Sequence, residues 1–288
     1  MNITKAIIPA AGFGTRMLPA AKAVPKELLP VLDRPTIQYV VEEAASAGCD
    51  DLLLITSRDK RAIEDHFDRA PELEARLKAG GKESLLASVR DLAEKIKIFS
   101  VRQSEQRGLG DAVYQAKRHV DNEPFLCLLG DTIFSGDISP AAQLAEAHRR
   151  LGTAVIGLEE VSPEKVERYG IVGGKMIETG VIQIDTIVEK PRKDQAPSNL
   201  AIAARYILTP EIFECLERTA PGKNGEIQLT DALTLLLKRG PIHGVVLKSR
   251  RHDIGNIIDW LKTNLILASR DPQLWSALRP LLDDLNQR

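Results

Sequence analysis

Apolar residues fall in two textures along the chain. Lys5–Ala10 (KAIIPA), Asp51–Thr56 (DLLLIT), Ile96–Val101 and Phe125–Leu129 (FLCLL) are runs of strand length, rich in residues that bury. Between them the spacing turns helical. Thr36–Ala47 places Ile37, Val40, Val41, Ala44 and Ala45 on one face and stops at Gly48. Arg58–Glu94 reads as several helices broken at Pro71 and Gly80–Gly81, and Gly110–His119 as one more. Strands alternating with helices predict parallel β-α units and a doubly wound α/β sheet of Rossmann-like form. Ligands in such sheets sit beyond the carboxyl ends of the strands. The loop after Ala10 and the Gly130–Asp131 turn after Leu129 both lie there.

After Gly152 the pattern changes. Val155–Val161, Gly170–Gly174, Val181–Glu189 and Leu200–Leu208 read as strands with few helices between them. They extend the sheet, make it mixed though mainly parallel, and build a second pocket wall. Ile227–Arg239 is helical and ends at Gly240–Pro241; His243–Lys248 is a late strand leading into Asp253-Ile254-Gly255-Asn256. From Gly255 the chain reads as helical to its end. Leu274, Trp275, Leu278, Leu281, Leu282 and Leu285 form a stripe that suits either core or a docking face. No internal repeat or low-complexity tract appears.

Composition narrows the class of partner. The 288 residues carry a net charge of −1, with 43% hydrophobic and 27% charged residues, so the chain is long enough for a substantial core. A near-neutral balance argues against a nucleic-acid or membrane-surface protein, whose binding rests on a basic face. Cys49, Cys127 and Cys215 are scattered, without metal-ligand spacing, and read as buried reduced thiols. The N-terminus has no signal-peptide pattern and no stretch nears the roughly 20 apolar residues of a membrane span, which gives a cytoplasmic expectation.

The chemistry concentrates in the opening loop. In Gly12-Phe13-Gly14-Thr15-Arg16 the glycines let backbone N–H groups approach phosphate oxygens. The dinucleotide fingerprint fails, because Met17 stands at the third glycine position, and the P-loop pattern is absent. Arg16, Lys22 and Lys26 follow the turn, and such cations suit a triphosphate. Prolines would hold the lysine-bearing segment in place. Asp131, at the end of a buried run, reads equally as a helix cap or a ligand; Asp253 makes a similar case. Together they could hold Mg²⁺, which takes hard oxygen donors. Glu189-Lys190-Pro191 reads as a surface pair, or as a reader of a sugar hydroxyl and a phosphate. Gln103, ahead of Gly108-Leu109-Gly110, carries an amide able to donate to and accept from a pyrimidine edge. The five histidines show no nucleophilic triad logic.

These segments resemble the sugar nucleotidyltransferases, and among them the bacterial UTP–glucose-1-phosphate uridylyltransferases. "IPAAGFGTRMLPAAKAVPKELLPVLDRPTIQYVVEE", "VRQSEQRGLGDAV", "EKP", "APSNLAIAARYIL", "GEIQLTDAL" and "HDIGN" stand in family order, from Lys5 to about Leu267. The resemblance implies a nucleotidyltransferase domain over 1–270. Within it 1–135 mainly binds nucleotide, 136–254 mainly binds sugar phosphate, and 271–288 adds a C-terminal helix able to form an interface. It implies UTP and glucose 1-phosphate as substrates, UDP-glucose and pyrophosphate as products, Mg²⁺ as cofactor, and a homodimer or homotetramer. By resemblance, Ala10, Ala11, Gly12, Gly14, Thr15 and Glu27 line the nucleotide. Arg16 holds the leaving pyrophosphate, Lys26 meets the α-phosphate, and Gln103 and Gly108 meet uracil. Asp131 and Asp253 hold the metal. Gly170 and Glu189 hold glucose hydroxyls, and Lys190 the sugar phosphate. Two departures, Asp111 where histidine is usual and Gly130 where proline is frequent, lean toward the related thymidylyl enzymes. A catalytically weak regulatory relative is the further alternative.

Overall fold

The first strand, β1 (Lys5–Pro9), explains why its sequence is apolar throughout: it lies mid-sheet, so both faces are covered. Ile7 packs into the core on one face, and Ala6 and Ile8 into the core on the other. The structure is a computed structural model and describes residues 2–222 and 225–286. A short hairpin, β2 (Pro30–Val31) with β3 (Arg34–Pro35), turns the chain into α1 (Thr36–Ser46), whose Val40, Val41 and Ala44 are buried. β4 (Asp51–Thr56) returns parallel to β1. Three helices follow, α2 (Arg61–Phe67), α3 (Pro71–Ala79) and α4 (Glu83–Lys95). Pro71 opens α3, where its missing N–H is no loss.

β5 (Lys97–Arg102) closes this half as the sheet's edge. The expected helix over Gly110–His119 is two pieces, α5 (Leu109–Tyr114) and α6 (Lys117–Val120), separated at Gln115–Ala116. β6 (Phe125–Leu128) lies beside β1, and β7 (Thr132–Ser135) leaves the main sheet. α7 (Pro140–Leu151), absent from the elements expected above, has a capping serine, Ser139, and a proline at its first turn.

β8 (Ala154–Glu160), β9 (Gly170–Glu178), β10 (Val181–Glu189) and β11 (Leu200–Leu208) match the expected strands, β9 running four residues longer. α8 (Glu211–Arg218) was also not among them; α9 (Leu229–Leu237), β12 (Ile242–Val246), β13 (Arg250–Asp253), α10 (Ile257–Ala268) and α11 (Pro272–Asn286) complete the chain. Residues 287 and 288, the end of the expected terminal helix, lie outside the described residues.

Among the described residues, one nine-stranded sheet runs in the order β5-β4-β1-β6-β11-β8-β12-β10-β9. The β5, β4, β1 and β6 strands are mutually parallel, as are β8 and β12. Only β10 and β11 run against the rest, so the sheet is mixed and mainly parallel. α5, α8 and α9 cover one face, α1 and α7 the other, which is the doubly wound arrangement. β7 and β13 form a separate antiparallel ribbon above the carboxyl ends of β1 and β6. Cys49, Cys127 and Cys215 are buried free thiols, and burial pushes Cys49 and Cys127 up to about 12. No described helix is long and apolar enough to cross a membrane.

Candidate active site

The crowded opening loop descends in three single turns of 3-10 helix, Thr15–Met17, Ala20–Lys22 and Lys26–Leu28. Met17 anchors it in the core at 1% exposure, and Pro19 and Pro25 fix the entries to the second and third turns. The loop therefore holds Lys26 at the end of β1 rather than leaving it in solvent. Arg16 is exposed, yet its guanidinium reaches the far side of the site. A Cβ on Gly255 would stand 2.9 Å from Arg16 Nη2 and 2.8 Å from Asp253 Oδ1. The ends of both side chains thus pass close over the Gly255 backbone.

Asp131 and Asp253 meet through the β7–β13 ribbon. Thr132 is paired with Asp253, and the Ile254 N–H donates to the Asp131 carbonyl at 2.9 Å. The Asp131 carboxylate is ion-paired with the Lys26 ammonium. Burial raises the Asp131 carboxyl, but the charge and hydrogen bond of Lys26, aided by Arg16, more than reverse that and hold it below the ordinary range. Burial likewise lowers Lys26, and Asp131 with Glu27 overcome it, so the ammonium is raised. Two carboxylates facing one cleft fit Mg²⁺, which completes its shell with substrate phosphates and water. The described residues hold no cluster of three or more acidic, histidine or cysteine ligands.

Glu27 borders the cleft, but its carboxylate is held from behind. Lys60 donates to both of its oxygens, at 2.9 and 2.8 Å, with Glu27 2% and Lys60 6% exposed. Burial pushes Glu27 up and Lys60 down, in each case against the attraction of the partner. Glu27 thus acts on the cleft as support for Lys26 beside it. Sequence reasoning missed Lys60; the one signal is its place just beyond the carboxyl end of β4. Lys22, a candidate cation above, borders not this cleft but a smaller cavity of about 140 Å³ beside Lys60.

On the β5 side Gln103 is 4% exposed and lines the cleft. Its Nε2 donates to Asp111 Oδ2 at 2.7 Å and to the Gly108 carbonyl at 3.1 Å. Gly108 takes φ +99°, and a Cβ there would lie 2.7 Å from the Ile227 carbonyl, so the turn requires glycine. On the opposite wall Glu189 accepts from the Thr230 hydroxyl at 2.7 Å and from Lys190 Nζ at 3.0 Å. Lys190 adopts φ +45°, a strained conformation for lysine of the kind that collects at functional sites. Gly170 lies beneath this pair: a Cβ on it would come within 3.3 Å of Glu189 Oε2. Thr230 and Arg251, which stacks 4.3 Å over Tyr169, also border the cleft and were not singled out as site residues.

The cleft has a volume of about 850 Å³. Lys22 apart, the site residues expected from the sequence line it: Ala10, Ala11, Gly12, Gly14, Thr15, Arg16, Lys26 and Glu27 from the opening loop, Gln103 and Gly108 beyond β5, Asp131 and Asp253 at the ribbon, and Gly170, Glu189 and Lys190 on the far wall. Cations at both ends, carboxylates between and a glycine-lined floor suit the joining of two phosphorylated molecules.

Comparison with known proteins gives a concordant picture. The model of the family described as nucleotidyl transferase matches residues 5–270. A UTP–glucose-1-phosphate uridylyltransferase of Staphylococcus epidermidis is 45% identical over 285 residues, covering 99% of each chain. A UDP-glucose pyrophosphorylase solved with UDP-glucose superposes with TM-score 0.87 at 41% identity, over 93% of this chain and 100% of that one. A UTP-bound UDP-glucose pyrophosphorylase from Acinetobacter baumannii gives TM-score 0.90 at 36% identity, over 98% and 99%.

Proposed function

Because the chain belongs to the nucleotidyl transferase family, we propose that it is a UTP–glucose-1-phosphate uridylyltransferase. The reaction joins UTP and α-D-glucose 1-phosphate into UDP-glucose with release of pyrophosphate. The observation that carries the reading is one cleft with Arg16 and Lys26 on a glycine loop at one end and Glu189 with Lys190 at the other. The similarity to relatives so named, over nearly the whole chain, supports it. Residues 1–135 supply mainly the nucleotide side and 136–254 mainly the sugar-phosphate side.

A phosphate oxygen of the sugar attacks the α-phosphorus in line; the new P–O bond forms as the bond to the β-phosphate oxygen breaks. The attacking oxygen is already anionic, so no general base is needed. The barrier is the meeting of polyanions, and the protein lowers it by positioning and charge. Lys190 holds the sugar phosphate while Glu189, braced by Thr230, accepts from sugar hydroxyls. Arg16 neutralises the departing pyrophosphate. Lys26 exchanges its Asp131 partner for the α-phosphate; Asp131 and Asp253 are the residues that would hold Mg²⁺. The bound cation supplies charge neutralisation on the phosphates.

Pyrophosphate release, measured across UTP, dTTP, CTP and ATP with glucose 1-phosphate and other sugar phosphates, tests the reading. UTP with glucose 1-phosphate is the expected best pair; a preference for dTTP transfers the proposal to a thymidylyltransferase, and no release with any pair sinks it. Asp131→Ala is expected to abolish magnesium-dependent turnover, and Lys190→Ala to raise KM for the sugar phosphate with a smaller effect on UTP. The same reading includes cytoplasmic placement and a homodimer or homotetramer. Sedimentation tests the assembly. Exposed Leu261, Leu265, Leu281 and Leu285 on α10 and α11 support it.

A further inference from the structure

Gln103 is held in one sense by partners that leave it no choice. Its Nε2 faces the Asp111 carboxylate at 2.7 Å and the Gly108 carbonyl at 3.1 Å, and both groups only accept hydrogen bonds. Reversing the amide would set its Oε1 against two acceptors. Asp111 is itself fixed. It is 3% exposed, and Arg107 Nη2 donates to its other oxygen, Oδ1, at 2.9 Å. No described residue donates to Gln103 Oε1, and Gln103 lines the cleft. The atom left for a ligand is therefore an acceptor with no donor beside it.

We propose that Asp111 determines which pyrimidine nucleotides the protein takes, by locking Gln103 so that only its Oε1 meets the base. The inference rests on the reading above in one respect, that the base lies at Gln103. Uracil and thymine carry an N3–H and satisfy Oε1. Cytosine has an unprotonated N3, which in the same register sets acceptor against acceptor, and its 4-amino group reaches Oε1 only if the base shifts out of that register. Asp111 is a positioning residue in this scheme. It touches no substrate and acts through the amide. The lock separates uracil and thymine from cytosine, and it is blind to the 5-methyl group.

Asp111→Asn is the informative variant. Arg107 can only donate, so it keeps the oxygen of the new amide, and the NH₂ end turns toward Gln103. A donor then faces Nε2, and the glutamine loses its single orientation. Calorimetric binding of UTP, dTTP and CTP is measured on the wild type and on the variant, with thermal melting as the check on folding. The wild type is expected to favour UTP over CTP by at least about 100-fold, and the variant to shrink that ratio by about 10-fold or more. The UTP-to-dTTP ratio is expected to stay constant. Equal weakening of all three nucleotides would mark Asp111 as merely structural and overturn the proposal. Should the variant fail to fold, N3-methyl-UTP on the wild type decides. It lacks the N3–H and is expected to bind as poorly as CTP; binding equal to UTP overturns the proposal. Because the readout is binding, selective binding without pyrophosphate release would sink the uridylyltransferase reading while sparing this one.

Discussion

Lys60 and Glu27 form a buried ion pair within the side chains that back the cleft. Removing one partner strands an almost fully buried charge, at a cost of about 3–5 kcal/mol, whereas replacing both can be nearly neutral. Lys60→Ala is thus expected to lower the denaturant midpoint sharply, and Lys60→Met with Glu27→Gln to recover most of it. Equal loss in the single and double variants would show that the pair does not act as a unit. Arg16 and Lys26 stood out in the sequence as cations beside a glycine turn, whereas Asp131 and Lys190, open there to a helix cap and a surface pair, were picked out only by the family resemblance. Lys60 and Asp111 were not legible in their roles. Each acts through a partner reached by folding, and an isolated lysine or aspartate looks like any surface charge.

Arg205 does at the level of elements what those pairs do locally. It sits on β11 at 0% exposure and donates to Glu43 of α1 at 2.8 Å. It also donates to the Leu129 and Thr132 carbonyls, at 3.4 and 2.8 Å, which bracket the turn bearing Asp131. Arg205→Met is expected to cost about 3 kcal/mol or more, because the Glu43 charge loses its counter-ion and keeps only the Ala141 N–H. Adding Glu43→Gln is expected to restore the melting temperature but not kcat, since the Asp131 turn stays untethered; full recovery of both would contradict the positioning role. The β7–β13 ribbon carries a pH dependence of its own. Burial, with Arg250 and Arg270, pushes His252 down to about 4, and its Nε2 lies 2.7 Å from the Ser135 hydroxyl. The folded protein keeps this ring neutral, while the unfolded chain takes a proton below about 6.5. The contribution is therefore complete above pH 6.5 and is lost as pH falls toward 4, by roughly 2 kcal/mol at pH 5. His252→Gln is expected to narrow the melting gap between pH 7.5 and pH 5; an unchanged gap would assign the acid sensitivity elsewhere. The strands were readable because apolar runs of five to nine residues have few other uses. α7 escaped because its buried apolar stripe is mostly alanine, although the Ser139–Pro140 start was available as a signal; α8 escaped because it is only eight residues long, although Ile212, Phe213, Cys215 and Leu216 share its buried face.

The whole molecule has one sheet for both halves of its site. β6, in the half proposed to hold the nucleotide, pairs with β11, in the half proposed to hold the sugar phosphate, so neither half can lose its strands without unpairing the other. Calorimetry is expected to show a single unfolding transition, and two resolved transitions would show the halves to be independent. A ligand that binds only the folded cleft adds about 2.7 kcal/mol at a hundred times its Kd. UTP is expected to raise the melting temperature accordingly, whereas NAD should leave it unchanged; the reverse result would reopen the dinucleotide reading that Met17 closed.

The sequence by itself determined the order and kind of the central elements, the failure of the dinucleotide fingerprint, and the presence of phosphate-suited cations beside a glycine turn. These are local properties, set by spacing, backbone freedom and side-chain chemistry within a few residues. Only the tertiary structure decided that Asp131 and Asp253 share one ribbon, that Lys26 answers Asp131, that Lys60 supports Glu27, and that Asp111 turns the Gln103 amide. Those meetings depend on which strands become neighbours, and strand order follows from burying both faces of the whole sheet at once, a condition that no single stretch of chain contains.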